Sequence, residues 1–273
     1  PLRPRRRGRD AVSGVSEYFR VVRAALARIE ETQAVAIEQA AGRCAASIAA
    51  GGVVHVFGSG HSRIIVEELW PRYGSYPGFH PIVELSLTAY HQVAGANGQR
   101  QAMFLENVPG LAAQILRNFN VGPDDALIAV SSGGTSVVTV EVAELLSARG
   151  LPVIAVTSLA HSQRSEPAAP SGNRLFEVAD VVLDTCTPVG DAAVLLAGMT
   201  APVGPTTTVA GAALANAVKV RVAELLLDRG ITPRALPSSL VVGRAASAAA
   251  FEAAYDEHAR LVSRLYRFPE TGP

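Results

Sequence analysis

Five short apolar runs constrain this chain most: residues 53–57, 81–85, 126–130, 153–157 and 181–184 are rich in β-branched side chains and lack polar alternation. A strand with one face in water alternates polar and apolar residues. A run of this length without alternation marks a strand covered on both faces, as in parallel sheets wrapped by helices. Segments 111–119, 137–149 and 209–228 carry the helical patterns expected of that cover. The last is Ala-rich and follows Thr206-Thr207-Thr208, any of which can cap it. The predicted fold is α/β, a doubly wound five-stranded parallel sheet flanked by helices, with extra helices at the N- and C-terminal ends.

The extra helices are read from periodicity. Phe19, Val22, Leu26, Ile29, Ile37, Cys44 and Ile48 fall mostly at three- or four-residue spacing, giving an apolar stripe on one long helix or a broken pair. At the other end Phe251, Tyr255, His258, Leu261 and Leu265 lie near one face of a helical segment over 245–266. The expected division is a disordered basic tail over 1–14, which holds the Arg3 to Arg9 charge run, a helical segment over 15–44, the sheet domain over 45–230 and a helical extension over 231–273. The terminal helices exceed what a five-strand core needs, which points to a homodimer or homotetramer.

Composition narrows the class. With 273 residues, 49% of them hydrophobic and only 5% aromatic, the core is built from Ala, Val and Leu. Lys+Arg and Asp+Glu are both 24, so no global field recruits nucleic acid or a membrane surface. No apolar segment suits a signal peptide or a spanning helix. Cys44 and Cys186 are far apart and match no disulfide or zinc spacing, which fits a reducing cytoplasm.

Chemistry concentrates where two strands end. The run 53–57 enters Gly58-Ser59-Gly60-His61-Ser62, and the run 126–130 enters Ser131-Ser132-Gly133-Gly134-Thr135-Ser136. Glycines let backbone approach an anion, hydroxyls add donors, and the helix that follows offers unpaired N–H groups. One such turn says little, because tight βα turns need glycine anyway. Two in one sheet point to a phosphate ester, bound beyond the carboxyl ends of the strands.

These turns, with Val156-Thr157-Ser158 and Pro205-Thr206-Thr207-Thr208 before the Ala-rich helix, resemble the sugar isomerase (SIS) domain family over roughly 45–230. Thr157-Ser158-Leu159-Ala160-His161-Ser162, Gly172-Asn173-Arg174-Leu175 and Val203-Gly204-Pro205 resemble, more narrowly, a branch of uncharacterised bacterial SIS-domain proteins labelled as phosphosugar isomerases. The resemblance implies a sugar phosphate ligand and an oligomer whose sites borrow residues from a neighbour. It assigns phosphosugar binding to Ser59, Gly60, Ser62, Ser131, Ser132, Thr135, Ser136 and Thr207. The family's Ser-x-Ser-Gly-x-Thr turn fits in two registers, through Ser132, Gly133 and Thr135 or through Ser131, Gly134 and Ser136. Glu68-Leu69 resembles the catalytic Glu-Leu of phosphoheptose isomerases, although Glu68 is closer to Ser62 than in that subfamily. Asn216 stands near the place of their late-helix histidine.

Aldose–ketose isomerisation needs a group that moves a proton between adjacent carbons and a partner for the oxygen-bound proton. His61 and Glu68 are seven residues apart, two turns on one side of a helix. Against this, His61 also reads as a helix cap, and Glu67 or Glu68 as a solvated face. Glu106 and His91 flank the second loop, and His161 ends a strand–loop segment. These complete the catalytic candidates, while His55 reads as a core histidine. No metal-ligand spacing, third fingerprint glycine or Gly-Lys-Ser/Thr occurs, so neither metal nor nucleotide cofactor is expected. The leading function is phosphosugar isomerisation. An amino-sugar phosphate etherase or lyase and a non-catalytic sugar-phosphate sensor stand as alternatives.

Overall fold

The computed structural model describes residues 13–88 and 98–268. Two helices lead, α1 (Gly14–Thr32) and α2 (Ala34–Ala49). The N-terminal stripe is thus a broken pair, with Gln33 at the break spending its side-chain oxygen on the Asp184 N–H at 2.9 Å. Ser13 caps α1 through a bond from the Ser16 N–H. The whole Arg3 to Arg9 run, and His91, lie outside the described residues.

Strand β1 (Val54–Phe57) leads through a single 3-10 turn over 60–62 into α3 (Arg63–Glu68), and β2 (Phe79–Ile82) follows. Short helices α4 (Leu85–Thr88), α5 (Gln99–Leu105) and α6 (Leu111–Leu116) precede β3 (Ala126–Val130) and α7 (Val137–Ser147). After β4 (Val153–Thr157) come α8 (Leu159–Ser162), α9 (Leu175–Val178) and β5 (Val181–Asp184). A hairpin of β6 (Ala192–Val194) and β7 (Val203–Pro205) leads to the 22-residue α10 (Thr207–Asp228), then α11 (Ser239–Val242) and α12 (Arg244–Ser263).

The five main strands are all parallel, in the order β2-β1-β3-β4-β5. Alternate residues serve opposite cores. Val54, Val56, Ile128, Ile154 and Leu183 join α2, α3 and α10, whereas Phe57, Leu127, Ala129 and Ala155 join α6 and α7. Strand order reverses between β1 and β3, and a crevice opens there in sheets of this kind.

Strand β2 corrects the predicted run over 81–85, lying at Phe79–Ile82. It is an edge strand, so Pro81 can stand in the ladder without an N–H, opposite Val56. The Glu84 carboxylate accepts from the Ser86 N–H at 3.0 Å and turns the chain into α4. Gln99 begins α5, so the irregular segment expected over 94–101 ends earlier. The helix expected over 245–266 is α12 plus a 3-10 turn, anchored by Tyr255, whose hydroxyl donates to the Pro71 carbonyl at 3.0 Å.

Helix α10 approaches α3 closely at Gly211, where any Cβ would run into Ile65. Two turns later Lys219 is only 3% exposed. Its ammonium donates to the Leu69 carbonyl at 2.8 Å and to Ser75 Oγ, and sits 4.8 Å from the Phe79 ring centre. Burial pulls its pKa from 10.5 down to about 7. Above pH 7 the unfolded chain therefore holds a proton that the folded one sheds, and stability rises with pH until the unfolded lysine also titrates. Lys219→Met is expected to flatten the rise in Tm seen for the wild type between pH 7 and about pH 9.5; equal slopes in the two proteins would refute this.

Candidate functional site

The first turn is shaped by crowding. A Cβ at Gly58 would stand 3.0 Å from Ser62 Cβ and 3.1 Å from the Val130 carbonyl, and Gly60 adopts φ +59°. Only glycine fits both demands without strain. The turn thereby lies against the carboxyl end of β3, where the second turn begins. There the Gly134 N–H donates to Ser131 Oγ at 3.1 Å, with Gly134 at φ +66°.

Glu106 bridges the two turns. Ser59 Oγ donates to its Oε2 at 2.5 Å, while its backbone carbonyl accepts from the Val138 N–H at 3.0 Å and from Ser136 Oγ at 3.4 Å. A cavity of about 360 Å³ opens around it, lined by both turns and by Gln99, Met103 and Asn107 of the α5 region. Ser59, Gly60, His61, Ser62, Ser131, Thr135 and Ser136 all border it. Among the described residues no lysine or arginine does. A larger hollow of about 780 Å³ lies at the opposite ends of the strands, beside Asp124 and Asp180, away from both turns.

Ser132 and Thr207 meet outside the lining of the 360 Å³ cavity. Their hydroxyls are 3.1 Å apart, and Thr207 Oγ1 also lies 3.3 Å from Thr187 Oγ1. The four hydroxyls of the second turn thus serve two sides, three toward the cavity and Ser132 toward the start of α10. The Thr206-Thr207-Thr208 run does not cap α10 itself. Asp191, fifteen residues upstream of Thr206, accepts from the Thr206 and Thr207 N–H groups at 2.9 and 2.7 Å.

Glu68 lies outside the cavity lining. It closes α3 with its carboxylate on Arg72 at 2.8 Å and Asn216 at 3.1 Å. His61 borders the cavity from the 3-10 turn rather than from α3, so the uniform helical spacing assumed between the two does not apply. His55 is a core residue, fully buried between His80 and Asp125. Among the described residues no group of three or more His, Cys, Asp or Glu is placed to hold a metal, and no helix is long and apolar enough to cross a membrane. Both cysteines are free thiols.

No sequence pattern marks Asp191 as a cap or Glu106 as the link between turns. Asp191 carries one structural signal of its importance, a non-glycine φ of +53°.

Residues 17–158 match the model of the SIS domain. A UPF0309 protein of Halalkalibacterium halodurans is 34% identical over 231 residues, covering 85% of this chain and 93% of the relative. Another, from Brucella canis, is 33% identical over 82% of this chain and 88% of its own length. Among solved structures, phosphoheptose isomerases of Neisseria gonorrhoeae and Francisella tularensis superpose with TM-scores of 0.51 and 0.52 at 16% and 17% identity. They cover 76% and 78% of this chain and 96% and 98% of their own, a likeness of fold. The chain belongs to the SIS domain family, among the UPF0309 proteins.

Proposed function

We propose that this protein binds a sugar phosphate at the switch point of its sheet and interconverts its aldose and ketose forms. The observation that carries this reading is the Glu106 bridge: one residue tied to both hydroxyl-rich turns, its carboxylate accepting from Ser59 and its backbone carbonyl from Ser136, at a cavity lined mostly by hydroxyl, amide and glycine residues. The phosphate sits on the turn over 131–136, where hydroxyls and backbone N–H groups converge ahead of α7. The open-chain sugar then extends toward the first turn. Glu106 removes the proton from C2 of the aldose, the C2–H electrons form the C1–C2 double bond of an enediolate, and the proton returns to C1. His61 carries the proton between the two oxygens. The bond from Ser59 orients the Glu106 carboxylate for this step.

A second base has one observation in its favour. Glu68 and Asn216 are hydrogen bonded at 3.1 Å, which joins the two positions that the phosphoheptose-isomerase resemblance singles out. The deciding experiment is a panel of C5 to C7 sugar phosphates incubated with the protein in deuterated water. Deuterium entering C1 or C2 of at least one sugar supports isomerisation. Binding without exchange gives the site to a sensor, and release of an ether-linked or amino substituent gives it to a lyase.

The same reading places the protein in the cytoplasm as a homodimer. Val15 and Phe19 of α1 and Leu195, Leu196 and Met199 of the adjoining hairpin segment are exposed apolar side chains. Tyr18 ties helix and hairpin into one surface through its bond to the Pro205 carbonyl at 3.1 Å. Phe19→Glu is expected to convert a dimer into monomers in sedimentation velocity at micromolar concentration. A wild type that is already monomeric would overturn the assignment.

A further inference from the structure

We infer that His161 contacts the ligand, donating its Nε2–H to a phosphate oxygen seated over Gly133. The inference rests on the sugar-phosphate reading above and adds to it a residue from the short helix α8 that follows β4, outside both hydroxyl-rich turns.

Gly133 supplies the first half of the argument. Its backbone is not in the left-handed region, so its conformation suits any residue. Nor is it crowded. The atoms nearest to a Cβ built there are His161 Nε2 at 3.7 Å, Thr135 Oγ1 at 3.8 Å and His161 Cδ2 at 3.9 Å, ordinary contact distances. Neither strain nor packing requires glycine, in contrast to Gly134, where a Cβ would collide with Ser162 Oγ. What the missing side chain leaves is a gap at the cavity wall between an imidazole nitrogen and a hydroxyl. Close approach of a ligand to backbone is the remaining use of glycine at such a place.

The orientation of His161 supplies the second half. Its Nδ1 accepts from the Gly190 N–H at 3.3 Å. With Nδ1 accepting, the ring proton of the neutral imidazole resides on Nε2, the atom beside the gap. The loop that delivers the Gly190 N–H is held against its own conformational preference: Cys186 and Asp191 have φ of +54° and +53°. The Asp184 carboxylate pins one end, accepting from the Cys186 and Leu159 N–H groups at 3.0 Å each, and Asp191 pins the other by capping α10. Strain of this kind persists where surrounding structure over-determines it, and it gathers at ligand sites. The adjacent Ser162 Oγ, buried against Gly134, has no hydrogen-bond partner among the described residues. One hydroxyl beneath this turn is therefore left unpaired.

The test is titration with inorganic phosphate, followed by ³¹P NMR, of the wild type and of the His161→Ala, His161→Gln, Gly133→Ala and Ser136→Ala variants, each with its melting temperature. Loss of a hydrogen bond to a charged group is expected to raise the Kd of His161→Ala by about 10- to 100-fold. Gly133→Ala, which fills the gap without strain, is expected to match that loss while melting with the wild type. His161→Gln can place an amide N–H near the same point and should recover part of the affinity. If His161→Ala and Gly133→Ala bind phosphate as the wild type does while Ser136→Ala weakens it, the His161 assignment falls and the sugar-phosphate reading stands. If the wild type itself binds no phosphate at tens of millimolar, both fall. Should His161→Ala fail to fold, Gly133→Ala and His161→Gln decide the matter.

Discussion

Glu106→Gln is expected to lower deuterium exchange at the sugar C1 and C2 by about 10²- to 10⁴-fold while leaving the affinity for the sugar phosphate within a few fold. The amide keeps the size of the carboxylate and can still accept from Ser59 through its oxygen, so the turns retain their bridge. What disappears is the capacity to take a proton from carbon. Glu68→Gln is the companion measurement. Its carboxylate is already engaged by Arg72 and Asn216 and lies outside the cavity lining, so exchange should persist near the wild-type rate. The reverse outcome, with Glu68→Gln silent and Glu106→Gln active, would move the base to the α3–α10 contact and make Glu106 a strut between turns.

Asp125→Ala is expected to give the largest loss of stability, about 3–5 kcal/mol, because it leaves a cation and several buried donors without their acceptor. The carboxylate accepts from the Val53 and Gly122 N–H groups at 2.8 Å each, from His55 Nε2 at 3.2 Å, and from Arg264 just beyond α12. One side chain thus joins β1, β3 and the C-terminal helix. The drop in Tm should be on the order of 10 °C, and α12 should become sensitive to proteolysis before the sheet does. A loss within 1 kcal/mol, on the scale of a surface ion pair, would refute the central role given to it.

The same cluster sets the acid limit of the fold. Burial would raise the Asp125 pKa, but bonds from His55, Arg264 and the Val53 N–H outweigh it and hold the carboxyl well below the usual range. His80 is pushed down to about 3, chiefly by burial and then by the neighbouring His55. Both shifts work in one direction. The unfolded chain takes up the His80 proton as pH falls below about 6.5, and the Asp125 proton below about 4, while the folded chain resists both. Stability from urea unfolding should therefore decline from about pH 6.5 downward and steepen below pH 4. His80→Leu is expected to remove the upper part of that decline, and an unchanged profile would assign it elsewhere.

Much of the sheet was legible because its signal is local. Strands β3, β4 and β5 coincide with the runs over 126–130, 153–157 and 181–184; β3 and β4 are buried throughout, and β5, at the sheet edge, alternates buried and half-buried residues. Strand β2 was displaced because its first residues include His80, a polar residue made tolerable by His55 across the ladder and Asp125 beyond it. Partners so distant in sequence leave no periodicity. The same reason separates the legible parts of the site from the rest. Hydroxyl-rich turns after strands can be seen in the chain itself, and nine hydroxyl, glycine and histidine candidates meet at the carboxyl ends of the strands. That Glu106 would tie the turns together depends on where α5 lies, and that Asp191 would cap α10 depends on a hairpin folding back between them. A local rule chose the threonines instead.

That no lysine or arginine among the described residues stands in the cavity wall has a consequence for the company this protein keeps among metabolites. A cationic pocket concentrates every polyanion in its surroundings and lets ionic strength set its occupancy. A wall built mainly of hydroxyls and amides, with the imidazole of His61 and the carboxylate of Glu106, has no such fixed cationic cluster. On the sugar-phosphate reading proposed above, the ligand would be recognised after contact, by the fit of donors to oxygens. Occupancy should then follow the concentration of one shape of molecule rather than the anionic content of the cell, at the expense of slower capture.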